Sequence, residues 1–385
     1  MYDFDRIIER RGTNCVKYDA MEGWPADTIP LFVADMDFAS PPAVRNALAK
    51  VVEQEIYGYT VCPADYFDAV RGWYLRRFGW EVQKDWLLTT PGVVHALNMA
   101  VRAFTDPGDE VLILTPVYGP FYHAIVGNGR TPCRCPLILR DGRYEIDFAS
   151  MERLIRERGI KLFLHCSPHN PVGRVWSEEE QRRIGRICTE NGTIVVADEI
   201  HSDFVFPPHK HTCFAALSPD VAERCVVCTA PSKTFNLAGL QNSNIFIPSK
   251  DLRRRFADEM AAAHTPRPGI FAYAATVAAY REGDAWVDEM LAYLQGNRRL
   301  VEDFLAAHLP QARLAAHEGT YLLWLDLSAW GSEDEVEEKL RLAGIRMNRG
   351  SDFCTEGGCF FRMNIATTRA NLGQALARLA RIPSA

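Results

Sequence analysis

No stretch of this 385-residue chain approaches the roughly 18 to 20 consecutive apolar residues that a membrane-spanning helix needs, so no membrane partner is expected. The opening MYDFDRIIERR carries early acidic charges and lacks an apolar core of signal-peptide length. Internal repeats and low-complexity linkers are missing as well. So is any excess of positive charge: the formal net charge of −6 argues against nucleic acid as a partner. The short clusters Arg253-Arg254-Arg255 and Arg182-Arg183 sit in helix-like segments and read as solvated faces. Cysteine is present without a framework, since the 11 residues are odd in number and scattered through apolar segments. With no export signal, that pattern predicts reduced thiols in a cytoplasm. Cys225 and Cys228 form a C-x-x-C inside the apolar run RCVVCTA, with no second pair at zinc spacing. They read as small buried hydrophobes, and no metal is expected.

What remains is an ordinary globular composition, 48% hydrophobic and 24% charged, on a chain long enough for one large and one small domain. From about residue 85 to 250, apolar runs alternate with helical periods, the pattern of a mainly parallel α/β sheet. The predicted strands are 86–89, 110–115, 161–166, 193–198, 225–230 and 243–247. Ser177 with Glu180 three residues on forms a capping box, and Asn191-Gly192 supplies the stop for that helix. After about residue 285 the character changes. Helices over 288–307 and 332–343 bracket or separate the runs YLLWLDL, GIRMNRG and CFFRMNIAT, which predicts a smaller α+β domain with an antiparallel sheet. The expected division is therefore an N-terminal arm with part of the small domain (1–40), a large α/β domain (41–285) and a small C-terminal domain (286–385).

Four residues stand out on this map. Tyr118, Asn170, Asp198 and Lys233 each fall at or just beyond the end of a predicted strand. Ligands of open α/β sheets bind outside the carboxyl ends of the strands, so all four should converge on one edge. Gly92-Val93-Val94 follows the strand WLLTT and opens the helix VVHALNMAVRAF, where free amides suit a phosphate. Each has a plainer reading alone: a capping carboxylate for Asp198, a turn for Asn170-Pro171, a loop lysine for Lys233, core packing for Tyr118.

Read together they resemble a known family, the fold type I enzymes dependent on pyridoxal 5′-phosphate (PLP), with the aminotransferase-like arrangement. The matching pieces are VADMDF (33–38), YGYT (57–60), TPGVVHAL (90–97), PVYGPF (116–121), SPHNPVGRVW (167–176), VADEIHSD (196–203), APSKTFNLAGLQ (230–241) and FFRMN (360–364). They keep the family's order and spacing over nearly the whole chain. Within the family the sequence is most similar to the MalY/PatB branch of cystathionine β-lyases and C–S lyases.

The resemblance implies a role for each residue. Lys233 carries PLP as a Schiff base and later removes the substrate Cα proton, Asp198 faces the pyridine nitrogen, Asn170 the ring hydroxyl, and Tyr118 stacks on the ring. Val93, Val94 and Ser232 hold the phosphate, with Tyr59 reaching it from a second subunit of a homodimer, and His201 lies beside the cofactor. Arg362 binds the substrate carboxylate, with Asn170 and Ala34 at the substrate. Three departures weaken the aminotransferase alternative. Gln241 stands where many aminotransferases carry an arginine eight residues after the lysine, Ala230 where they tend to have a hydroxyl residue three before it, and His201 where they have tyrosine three after the aspartate. The implied reaction is β-elimination of a thiol from L-cystathionine or a related S-substituted L-cysteine, giving pyruvate and ammonia.

Overall fold

A computed structural model describes residues 1–355 and 357–382. Seven strands form the main sheet: β1 (Leu87–Thr90), β2 (Glu110–Thr115), β3 (Thr131–Pro136), β4 (Leu162–Cys166), β5 (Ile194–Asp198), β6 (Cys225–Thr229) and β7 (Ser243–Phe246). Their order across the sheet is β1-β7-β6-β5-β4-β2-β3. All neighbours run parallel except β7, which is antiparallel to both β1 and β6. Every residue of β4, β5 and β6 is buried, as expected of strands covered on both faces. Alternation then splits their side chains between two apolar layers. Leu164, Val196 and Val226 pack with the helix Val93–Phe104, and Phe163, Val195 and Val227 join the larger core opposite.

The predicted strands all form, with ends shifted by no more than a residue or so. The strand missing from the sequence reading is β3, whose TPCRCP carries two prolines. It survives because it is an edge strand, paired only with β2, so no second neighbour needs the absent N–H groups. The capping box of Ser177 and Glu180 is present in both directions and opens the helix Glu178–Glu190. A second, unforeseen box of Ser332 and Glu335 opens Glu333–Leu342.

Past the 25-residue helix Asp284–His308 lie β8 (Arg313–Leu314), β9 (Leu322–Asp326), β10 (Asn348–Arg349) and β11 (Phe360–Asn364). They form an antiparallel sheet of order β8-β9-β11-β10. The N-terminal segment joins this part of the molecule, because Ile29–Pro30 pairs in parallel with Ile345–Arg346. Among the described residues no helix is long and apolar enough to cross a membrane.

Candidate active site

The carboxyl ends of β2, β4, β5 and β6 open onto one cavity of about 240 Å³. Lining it are Ala34, Val93, Val94, Tyr118, Asn170, Asp198, His201, Ser232 and Lys233, nine residues singled out in the sequence. Strand geometry explains the convergence. Asp198 is the last residue of β5, and Tyr118, Asn170 and Lys233 lie three to four residues beyond β2, β4 and β6.

Asp198 is buried, and its carboxylate accepts a hydrogen bond from Ile200 N–H at 3.1 Å. Burial pushes its pKa up to about 7, opposed by that hydrogen bond and by the charge of Lys233. Asp198 makes no ion pair among the described residues, and the charges acting on it are those of Lys233 and Glu199. Lys233 donates from Nζ to Ala34 O at 2.6 Å. Desolvation and the nearby Arg362 charge lower its pKa to about 8, so part of the population is free amine near neutrality. His201 is buried, and desolvation holds it neutral. Its ring meets Tyr321 edge-on at 5.8 Å. Burial also raises the Tyr118 hydroxyl, while its backbone N–H donates to Asn170 O at 3.1 Å.

The first turn of the helix Val93–Phe104 faces the cavity without a side-chain cap. Its N-cap, Gly92, has φ +125 and ψ 157, a region open essentially to glycine alone. The Val93 and Val94 amides therefore remain available to an anion, with Ser232 across from them. Gln241 also lines this end, in a left-handed conformation at φ +49.

Arg362 lies on β11 with 3% exposure, although it is an arginine. Its Nη1 donates to Asn170 Oδ1 at 3.1 Å and Nη2 to Asn348 Oδ1 at 2.7 Å. Nε has no partner, and the one carboxylate whose charge acts on the guanidinium, Asp352, makes no ion pair with it among the described residues. Desolvation accordingly lowers its pKa to about 10. The guanidinium also lies over the Phe353 ring, 4.7 Å from its centroid, so this buried cation is held by two amides and an aromatic face.

Tyr59 does not reach this cavity. It is fully exposed, at 112%. Residues that the sequence did not single out include Asn348, directly opposite Arg362 in the β10–β11 ladder, and Tyr321, whose hydroxyl donates to Ala34 O at 2.9 Å. Cys166 and His95 also line the cavity. One of these had a usable signal: His95 sits in the phosphate-type turn TPGVVHAL. Glu199, His211 and Cys213 bring their ligand atoms within 4.8 Å of one another, but none of them lines the cavity.

The family model "aminotransferase class I and II" matches residues 26–379. The cystathionine beta-lyase PatB of Bacillus subtilis (strain 168) is 42% identical over 381 residues, 98% of each chain. Among solved structures, cystalysin from Treponema denticola, which contains a pyridoxal 5′-phosphate cofactor, superposes with a TM-score of 0.96 at 37% identity, covering 99% of this chain and 98% of that one. The PLP-bound C–S lyase of Staphylococcus hominis gives 0.93 at 34% identity over 99% and 97%.

Proposed function

The chain belongs to the class I and II aminotransferase family, with the PLP fold type I architecture, and from that membership we propose that it is a PLP-dependent carbon–sulfur β-lyase. It takes L-cystathionine or a related S-substituted L-cysteine and, with one water, yields the thiol, pyruvate and ammonia. One observation carries the reading. A buried carboxylate and a low-pKa lysine line one cavity, and a buried arginine without an anion lies behind its wall on Asn170, in a chain matching a cystathionine β-lyase over 98% of its length.

The residues present fit the cofactor. Asp198 supplies the anion that a protonated pyridine nitrogen requires, and the uncapped Val93 and Val94 amides with Ser232 suit its phosphate. Asn170 and Tyr118 would take the ring hydroxyl and one ring face, His201 would lie beside the ring, and Lys233 would hold the aldehyde carbon. When bound, PLP supplies an electron sink that acidifies the Cα–H and permits loss of the β-thiolate.

The protein's own groups do the rest. Arg362 fixes the α-carboxylate through paired N–H donors, with Asn170 and Asn348 holding the guanidinium plane. The Ala34 backbone bounds the same space. Lys233, with a pKa of about 8, accepts the Cα proton at modest cost near neutral pH. An aminotransferase would use the same set and return that proton to the cofactor carbon. His201 and Gln241, both at the cavity, favour the lyase.

The discriminating experiment is a product assay. Cystathionine should give pyruvate, ammonia and homocysteine in step, with no 2-oxo acid acceptor. Turnover that stops after one equivalent until a 2-oxo acid is added would make the protein an aminotransferase.

We further infer a homodimer with shared sites. Ile56, Tyr57, Tyr59 and Val61 form an exposed, largely apolar stretch, at 79%, 54%, 112% and 75%. A second copy seated there would cover it and bring Tyr59 to the partner's phosphate site. Buried thiols outside any disulfide, such as Cys166, Cys188, Cys213, Cys225 and Cys228, support a reducing compartment such as the cytoplasm.

A further inference from the structure

Val33 is β-branched yet adopts φ +53, a strained conformation that such a residue rarely takes. Strain of this kind persists only where the surroundings over-determine the backbone. Here they do so from three directions. From β11, Asn364 Nδ2 donates to Val33 O at 2.8 Å and to Asp35 O at 2.7 Å. From the loop after Lys233, Asn236 Oδ1 accepts from Met36 N–H at 3.1 Å while its Nδ2 donates to Met36 O at 2.8 Å.

The third direction is the N-terminal arm. Lys17 is fully buried, at 0% exposure, with Nζ 3.0 Å from Asp37 Oδ2 and 3.3 Å from Asp35 O. Arg10 spans both carboxylates, at 2.8 Å to Asp35 Oδ2 and 2.8 Å to Asp37 Oδ1. Two cations thus meet two anions, with Lys17 and Asp37 buried and Arg10 and Asp35 partly exposed. At the centre of this clamp is Ala34, whose carbonyl accepts from both Lys233 Nζ and Tyr321 O–H.

We propose that Lys17 and Arg10 are positioning residues for the reaction: through Asp35 and Asp37 they hold the strained Val33–Ala34 turn, and the Ala34 carbonyl in turn sets where the Lys233 amine rests when it is free. The arm lies more than two hundred residues from the lysine in sequence, yet only this turn separates the two in space. The idea rests on the assignment of Lys233 as the proton-moving lysine. A neutral replacement at Lys17 leaves Asp37 short of its buried partner, and the turn can relax toward an unstrained conformation that withdraws the carbonyl.

The test uses the PLP-loaded protein and three variants, Lys17→Met, Val33→Gly and the double variant. Two properties are read beside thermal stability. One is the pH at which the visible absorption of the bound cofactor changes. The other is exchange of the Cα proton of L-alanine in D₂O, a substrate with no β-leaving group. Lys17→Met should shift the absorption midpoint and slow exchange by about tenfold, the scale expected for releasing strain of this size. Glycine accepts positive φ without cost, so the same substitution should cost several-fold less in the Val33→Gly background. Should Lys17→Met fail to fold, Arg10→Gln, at a partly exposed position, takes its place. A folded variant with unchanged midpoint and exchange overturns the proposal, as do equal losses in the Val33 and Gly backgrounds. Thiol release by the unsubstituted protein in the same preparation tests the lyase reading separately.

Discussion

Arg362 on β11 and Asn170 after β4 are 192 positions apart, and their side chains meet at 3.1 Å. That contact joins the small antiparallel sheet to the edge of the large one at the place where a substrate carboxylate would sit. Arg362→Ala removes the only buried cation offered to that carboxylate by β11. Losing one partner of a buried charge pair costs roughly 2–5 kcal/mol, so the substrate requirement should rise about 30- to 4000-fold. Steady-state kinetics on cystathionine check this, and unchanged values would place the arginine outside the substrate site.

Lys233→Ala should abolish turnover while leaving PLP bound through Asp198, Asn170 and the helix-start amides. Absorption spectroscopy separates the two effects. A variant retaining the pH-sensitive absorption of the unsubstituted protein would show that another lysine carries the cofactor.

The raised pKa of Asp198 makes the stability of the cofactor-free protein depend on pH. The carboxyl titrates near 4 in the unfolded chain and near 7 in the folded one. Between those values the unfolded state binds fewer protons, so stability falls as pH rises from about 4 to 7 and then levels off for this group. Thermal melts across that range should show the decline, and Asp198→Asn should flatten it. Bound PLP should flatten it too, because a cationic ring nitrogen favours the ionised carboxylate.

Tyr59 gives a prediction about assembly. If Tyr59→Phe is severely impaired, mixing it with Lys233→Ala chains should restore activity, since one of the two sites in each heterodimer would then be intact. Verified heterodimers without recovered activity would count against sharing.

Much of the site was legible because its residues are tied to strand ends. Short continuous apolar runs located β4, β5 and β6, and whatever follows such a parallel strand must emerge on the same sheet edge, so Asn170, Asp198 and Lys233 could be placed together beforehand. β3 was not legible, since its prolines are tolerated only on an edge, and edge position is a property of the assembled sheet. The same holds for Arg362. On the strand pattern alone FFRMN could equally put its arginine outward, and it is the pairing with β9 and β10 that buries it. Lys17 is the clearest case. In a short polar helix near the N-terminus it reads as a surface lysine, yet it is sealed beneath Asp35 and Asp37. The sequence by itself determined the elements and the chemistry-bearing residues at their ends, because both follow from local periodicity and turn chemistry. Only the tertiary structure decided which charges would be buried and against what, because burial depends on how separate segments pack together and not on the local pattern of any one of them.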